Sequence, residues 1–184
     1  MDIDSTPKIL AEGFREWLRL YERSIVWAVA ASISFLLISR AHTNEKPISF
    51  PGIVGDLSGS EAGIVAFVLF FILGGFALSA ARRANVTLLQ LDGMSMPIET
   101  LKALRSFPSL ATHPNALFRV GIVLLPPLFL LASFILELRG EWKTGQWTEH
   151  PWGGFAMIWF LITALYGSIV RIVWRPLGMK GLQS

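Results

Sequence analysis

The sequence predicts an all-α membrane protein with four transmembrane helices, an N-terminal amphipathic helix and a short cytoplasmic loop helix. The main observation is a set of four apolar stretches that contain no ionisable side chain, at residues 24–39, 62–81, 120–136 and 152–170. A hydrocarbon core of about 30 Å takes roughly 20 helical residues to cross. With their flanking residues, the stretches predict spans at approximately 24–40, 62–83, 116–138 and 152–172. The loops are too short for a separate soluble core, so residues 1–184 are predicted to form a single membrane domain.

The distribution of Lys and Arg predicts the orientation. Twelve of these residues fall in the N-terminal tail, the central loop and the C-terminal tail, whereas four fall in the other two loops. Cytoplasmic segments of membrane proteins are enriched in Lys and Arg, so both termini and the central loop are predicted to be cytoplasmic. The expected location is therefore a multi-pass position in the bacterial inner (plasma) membrane.

The N-terminal tail has the pattern of an amphipathic helix. Ser5 or Thr6 can cap it, Pro7 suits its first turn, and apolar residues from Leu10 to Tyr21 recur on one face opposite charged residues. One interpretation is a separate helix that lies on the cytoplasmic surface of the membrane. The other is a single long helix that continues into the first span, since no Pro or Gly follows Gly13 before that span.

Two loops also carry local signals. In the first outer loop, prolines and glycines separate two short β-like runs within residues 46–56, which predicts a small hairpin or ordered turn. In the central loop, apolar residues at helical spacing predict a short helix near residues 96–106. In the third span, Pro126 and Pro127 lack amide hydrogens, so a kink is expected there.

Small residues recur at four-residue spacing in three of the spans. Such stripes let helix backbones approach closely, which favours association inside a membrane. Most of this close approach is needed to pack the four helices together, and a surplus would serve a homo-oligomer. The residues predicted to pack helices are Ala28, Ser32, Gly75, Ser79, Thr163 and Gly167.

The sequence gives little support for an enzyme. It contains no cysteine, which excludes disulfides, thiolate catalysis and cysteine-held metals. It also lacks the HExxH, Gly-x-Ser-x-Gly and phosphate-loop motifs. No His, Asp or Glu lies in the four apolar stretches, where proton pumps and intramembrane proteases carry theirs. No catalytic residue, no cofactor and no metal site is predicted.

A basic cytoplasmic surface is the predicted interaction site. Two interpretations are open: contact with anionic membrane lipids, and docking of an acidic soluble protein. Arginines interleaved with aromatic residues, the pattern of nucleic-acid platforms, are absent, so nucleic acid is not an expected partner. The residues assigned to this surface are Arg82, Arg83, Lys102 and Arg105.

By architecture alone the chain resembles small four-helix bacterial membrane subunits, including those paired with a soluble protein in anti-phage defence or stress systems. The resemblance implies a non-enzymatic inner-membrane subunit that homo-oligomerises and scaffolds a cytoplasmic protein partner. The first alternative is a pore- or channel-forming oligomer, and the second is a small membrane enzyme that acts from its loops. The residues proposed to line a pore are Ser32, Ser34, Thr163 and Ser168.

Overall fold

A computed structural model describes residues 6–41, 48–49, 56–57, 59–94, 98–144 and 152–174. These residues form five α-helices and one pair of very short strands. Four of the helices are long and apolar enough to cross a membrane, as predicted. The elements are α1 (Thr6–Ala41), β1 (Ile48–Ser49), β2 (Asp56–Leu57), α2 (Gly59–Gly93), α3 (Ile98–Arg105), α4 (Ala116–Thr144) and α5 (Trp152–Val173).

Helix α1 decides between the two interpretations of the N-terminal tail. It runs unbroken for 36 residues, so the described part of the tail and the first span form one helix rather than two. Its apolar stripe is buried in the protein core rather than presented outward. The buried members of the stripe are Phe14, Leu18, Tyr21, Ile25 and Ala28.

Helices α1 and α2 form an antiparallel pair. Between them, β1 and β2 pair antiparallel, with Ile48 opposite Leu57, in the loop for which a small hairpin is predicted. Further along the pair, the guanidinium of Arg83 lies over the ring of Trp17. Helix α2 continues ten residues past the predicted end of its span at residue 83 and ends at Gly93. The short loop helix predicted near residues 96–106 is confirmed as α3.

The four long helices form a closed ring in the order α1–α2–α5–α4, with each helix packed on two neighbours. Alanines of α2 let the large side chains of α1 approach closely, and α5 contributes a stripe from Ile162 to Val173. Helix α4 is continuous through Pro126 and Pro127, both of which are buried. Neither proline can donate to the carbonyl four residues earlier, and the kink expected there stays a prediction.

Two contacts lie near one end of the bundle: Arg83 over Trp17, and Arg119 bonded to Val173. Gly74 of α2 lies against Leu165 of α5, and Arg83 and Val173 follow nine and eight residues later on these two helices, so both contacts are at a common level, here called the arginine level. From this level α1 and α2 each run about 36 Å to their far ends, and α4 and α5 run about 37 Å and 32 Å. Each distance is enough to cross a hydrocarbon core of about 30 Å. In the opposite direction α1 and α2 continue for about 15 Å, whereas α5 ends.

The part of the fold beyond the arginine level is here called the cap and consists of residues 6–17, 83–94 and 98–115. Its core joins α1, α2 and α3. The buried apolar side chains that form it are Phe14, Leu88, Leu91, Leu101, Leu104 and Ala111. The cap is therefore a packed extension of the bundle.

Between its two ends the described surface of the bundle is apolar, and the exposed Arg19, Arg23 and Arg171 lie within about 9 Å of the arginine level. Large side chains that would be costly to leave in water point outward from every long helix, and lipid tails are the surroundings that suit them. Examples are Trp27, Leu37, Phe71, Phe76, Leu128, Ile135, Met157 and Phe160.

Candidate interaction surfaces

The four basic residues assigned to one surface lie at two different heights. Arg82 and Arg83 are exposed at the arginine level. The guanidinium carbon of Arg83 is 4.7 Å from the centroid of the Trp17 ring, so this cation is used to join α2 to α1. Arg82 points outward beside it.

Lys102 and Arg105 lie on α3, in the cap. Arg105 is paired with Asp92 at 3.5 Å, with side chains 40% and 31% exposed. Because Asp92 is nine residues beyond Arg83 on α2, this pair is about 13 Å above the arginine level. The basic residues therefore form a lower pair at the base of the cap and an upper pair on its side.

A depression of about 590 Å³ lies beside the upper pair. Its walls come from α3 and from the chain that leads down to α4, and the residues that line it are Lys102, Ala103, Arg105, Ser106, Thr112 and Pro114. The hydroxyl groups in the walls are used internally: Ser106 donates to the carbonyl of Ala103, and Thr112 donates to that of Phe107. The charged groups that remain at the depression are the cations on its rim.

Phe107 and its neighbours fix the position of this wall. The guanidinium of Arg15 on α1 lies 5.8 Å from the Phe107 ring centroid, and the Ser109 and Thr112 hydroxyls are 3.1 Å apart. At the end of the wall, the side-chain oxygen of Asn115 accepts hydrogen bonds from the amides of Leu117 and Phe118. Asn115 thus caps the first turn of α4.

Arg119 has a role that the sequence did not indicate. In the sequence Arg119 is one of the positive charges of the central loop. In the structure it is only 3% exposed and joins α4 to α5. Its Nε donates to the carbonyl of Val173 at 2.8 Å, and one terminal nitrogen donates to that of Trp174 at 3.0 Å. The other terminal nitrogen donates to the carbonyls of His113 and Pro114. One guanidinium therefore caps the last turn of α5 and holds the loop before α4. In the sequence, the signal for this role is an arginine directly before a charge-free stretch.

Some of the predicted packing residues are buried in the bundle, and others lie on its surface. Ala28 and Ser32 are fully buried on α1. On α2 the tight contact is at Gly74: a Cβ placed there would lie 2.6 Å from Leu165 Cδ2 and 3.0 Å from Tyr166 Cε2. Added Cβ atoms on Gly75 and Gly167 would meet nothing within 4 Å. Ser79 is exposed and Thr163 is half-buried.

The hydroxyl groups proposed to line a pore bond within their own helices. Ser32 donates to the carbonyl of Val29 at 2.7 Å, Ser34 to that of Ala30 at 3.0 Å, and Ser168 to that of Ala164 at 2.9 Å. Each serine therefore satisfies its own donor without a polar channel. Within the described part of the chain, the buried Thr163 hydroxyl has no hydrogen-bond partner.

The far end of the cap carries exposed apolar side chains. Ile9 is 63% exposed near the start of α1, and Met94 is 44% exposed just after α2. Because α1 and α2 are antiparallel, both residues lie at the end of the cap that is farthest from the four spans. Their heights above the arginine level are about 12 Å and about 16 Å along their helices.

Among the described residues, no group of three His, Cys, Asp or Glu side chains is placed to hold a metal ion. Comparison with protein-family models, curated proteins and solved structures found no match to this chain.

Proposed function

We propose that the chain is a non-enzymatic, multi-pass subunit of the bacterial inner membrane that recruits a soluble cytoplasmic protein to its cap. The observation that carries this proposal is the cap itself. Two membrane-spanning helices continue beyond the arginine level and pack with α3 around a common apolar core. Helices that only anchor a protein have no need of such an extension.

The exposed apolar end of the cap supports a protein partner rather than lipid. Headgroups extend only about 5–8 Å beyond each face of the hydrocarbon core. Ile9 and Met94 lie farther than this above the arginine level, where water would otherwise cover them. A soluble protein that buried both side chains would remove that cost.

Homo-oligomerisation is a further part of the proposal. Gly75 and the exposed Ser79 lie one turn apart on α2, beside the exposed Phe76, and small residues at this spacing allow a second helix to approach. Leu at both positions is expected to reduce the oligomer to a monomer, as measured by the mass of the protein in detergent. An unchanged mass, or a monomeric parent protein, would remove this part of the proposal.

The partner is best tested by cross-linking in cells of the native host. Since the chain contains no cysteine, Gln90→Cys supplies a single attachment point for a photo-cross-linker on the exposed surface of the cap. One cross-linked product of defined mass is expected. In the same background, Ile9→Glu with Met94→Glu is expected to abolish that product without lowering the Tm of the purified protein.

Val86→Glu is the matched control, because it places a carboxylate on an exposed apolar residue near the base of the cap, eight residues before Met94. It is expected to leave the cross-linked product unchanged. The proposal fails if no specific product forms, or if the Ile9 and Met94 changes reduce it no more than the control does.

A further inference from the structure

The depression beside α3 is separate from the apolar end of the cap, and its lower edge reaches the arginine level. Pro114 lines that edge, and its carbonyl accepts a hydrogen bond from Arg119, one of the residues that define the level. The depression therefore opens at the height where the four spans begin. Phospholipid headgroups occupy this height when the spans lie in a membrane.

The charges around the depression favour an anion. Lys102 and Arg105 are on its rim, while no carboxylate of the residues that the structure describes lines it. Asp92 is engaged with Arg105, and Glu99, one turn before Lys102 on α3, lies outside the lining. In the part of the chain that the structure describes, Lys102 has no ion-pair partner.

An exposed apolar track continues from the depression down α4. Leu117 is 73% exposed and lies one turn after Pro114, and Leu128 is 56% exposed farther along the helix. Gly121, between them on the same face, is exposed and leaves open space where a side chain would stand. Cations above an apolar track match a molecule with an anionic head and apolar tails.

We propose that the depression binds the phosphate of one anionic phospholipid, whose acyl chains follow the exposed α4 face of Leu117, Gly121 and Leu128. Lys102 supplies the charge that contacts the phosphate, whereas the Arg105–Asp92 pair lies higher in the cap and adds no direct contact. The first-turn amides of Leu117 and Phe118 are already bonded to Asn115, so the side chains of α3 provide the recognition. Basic pockets beside membrane helices bind anionic headgroups by the same charge complementarity.

Native mass spectrometry of the purified full chain in detergent tests this site. The protein is titrated with phosphatidylglycerol, and phosphatidylcholine with the same acyl chains serves as the neutral comparison. Preferential retention of one phosphatidylglycerol is expected. Lys102→Gln is expected to weaken its binding about fivefold, the factor that one basic side chain contributes near an anionic surface. Lys102→Arg is expected to restore most of the affinity.

Arg171→Gln is the matched control, since Arg171 is an exposed cation at the end of α5 and does not line the depression. It is expected to change phosphatidylglycerol binding less than twofold. Equal losses in the Lys102 and Arg171 variants would overturn the proposal in favour of a diffuse surface effect, as would equal binding of the two lipids.

Glycerol phosphate distinguishes a lipid from a free phosphate. It carries the same anionic group without acyl chains, so it is not expected to displace phosphatidylglycerol at equal concentration. Displacement would overturn the lipid assignment and leave a small-anion site. The failure of the lipid site would not affect the partner proposal, which is tested at Ile9 and Met94.

Discussion

The two antiparallel helix pairs of the bundle end differently at the arginine level. The α1–α2 pair continues beyond it, and its arginine, Arg83, lies exposed over the face of Trp17. The α4–α5 pair stops there, and its arginine, Arg119, is buried and bonded to backbone carbonyls. Two arginines at the same height therefore make different kinds of contact.

The difference follows from the state of the helix ends. Where α5 ends, its last carbonyl groups have no partner within the helix, and a guanidinium can satisfy several of them at once. Where α1 and α2 continue, their backbone groups remain bonded within each helix, so Arg83 has only a side chain to contact. A buried arginine indicates here where a helix stops, and a stacked arginine indicates where the helix continues.

The largest expected effect is at Arg119. Arg119→Leu removes the hydrogen bonds to Val173 and Trp174 and leaves the buried carbonyl of Val173 and the partly buried carbonyl of Trp174 without this donor. The expected loss of unfolding free energy is about 3 kcal/mol, which corresponds to a Tm lower by roughly 6–12 °C in detergent. Arg119→Lys keeps the charge without the planar guanidinium and is expected to lose an intermediate amount of unfolding free energy.

Arg171→Leu provides the comparison for Arg119, since Arg171 lies near the same end of α5 but is exposed. Its effect on the Tm is expected to be small. Similar losses for the two variants would show that positive charge near the end of α5, rather than the bonds of one buried guanidinium, stabilises this pair.

An intermediate effect is expected at the contact between the two pairs. Gly74 of α2 faces Leu165 and Tyr166 of α5, and the Tyr166 hydroxyl also donates to the carbonyl of Phe70. In Gly74→Ala the Leu165 side chain can rotate partly away from the added methyl group, whereas the Tyr166 ring is less free to move. The net loss of unfolding free energy is expected to be about 1 kcal/mol.

Gly75→Ala should change the stability in the opposite direction. An added Cβ there meets nothing within 4 Å, and Ala is favoured over Gly inside a helix by about 0.8–1 kcal/mol. The two variants are compared by thermal unfolding in the same detergent. If Gly74→Ala also raised the Tm, close packing at this residue would not hold the two pairs together.

The contact at Gly74 could not be predicted from the sequence, although the helices could. Four charge-free stretches are enough to predict four long helices, and the start of α4 at Ala116 matches the predicted start of the third span. Which glycine packs, however, depends on how each helix is rotated. Neighbouring positions such as Gly74 and Gly75 differ by about 100° around the axis. Because the lipid-facing and buried faces of a span are both apolar, hydrophobicity alone does not fix that rotation.

The same limit applies to the proposed surface. The sequence assigns Arg82, Arg83, Lys102 and Arg105 to one basic surface, and all four side chains are exposed in the structure. It does not reveal that α2 continues to Gly93, and this continuation separates Arg83 from the Asp92–Arg105 pair. Charge along a loop can be counted from sequence, whereas its height above a membrane depends on whether that loop is helical.

The smallest expected effect is at the arginine of the continuing pair. Arg83→Gln removes the cation over Trp17, and an exposed cation–π contact is worth about 0.5–1 kcal/mol. A double-mutant cycle with Trp17→Leu, measured by thermal unfolding in detergent, is expected to give a coupling of this size.

Arg82→Gln with Trp17→Leu is the matched cycle, because Arg82 is an adjacent exposed arginine, and its coupling should be near zero. Equal couplings would mean that Trp17 responds to the general positive charge at this level. A larger coupling for Arg83 than the loss measured for Arg119→Leu would contradict the ranking, since an exposed stacked cation should stabilise less than a buried one bonded to several carbonyls.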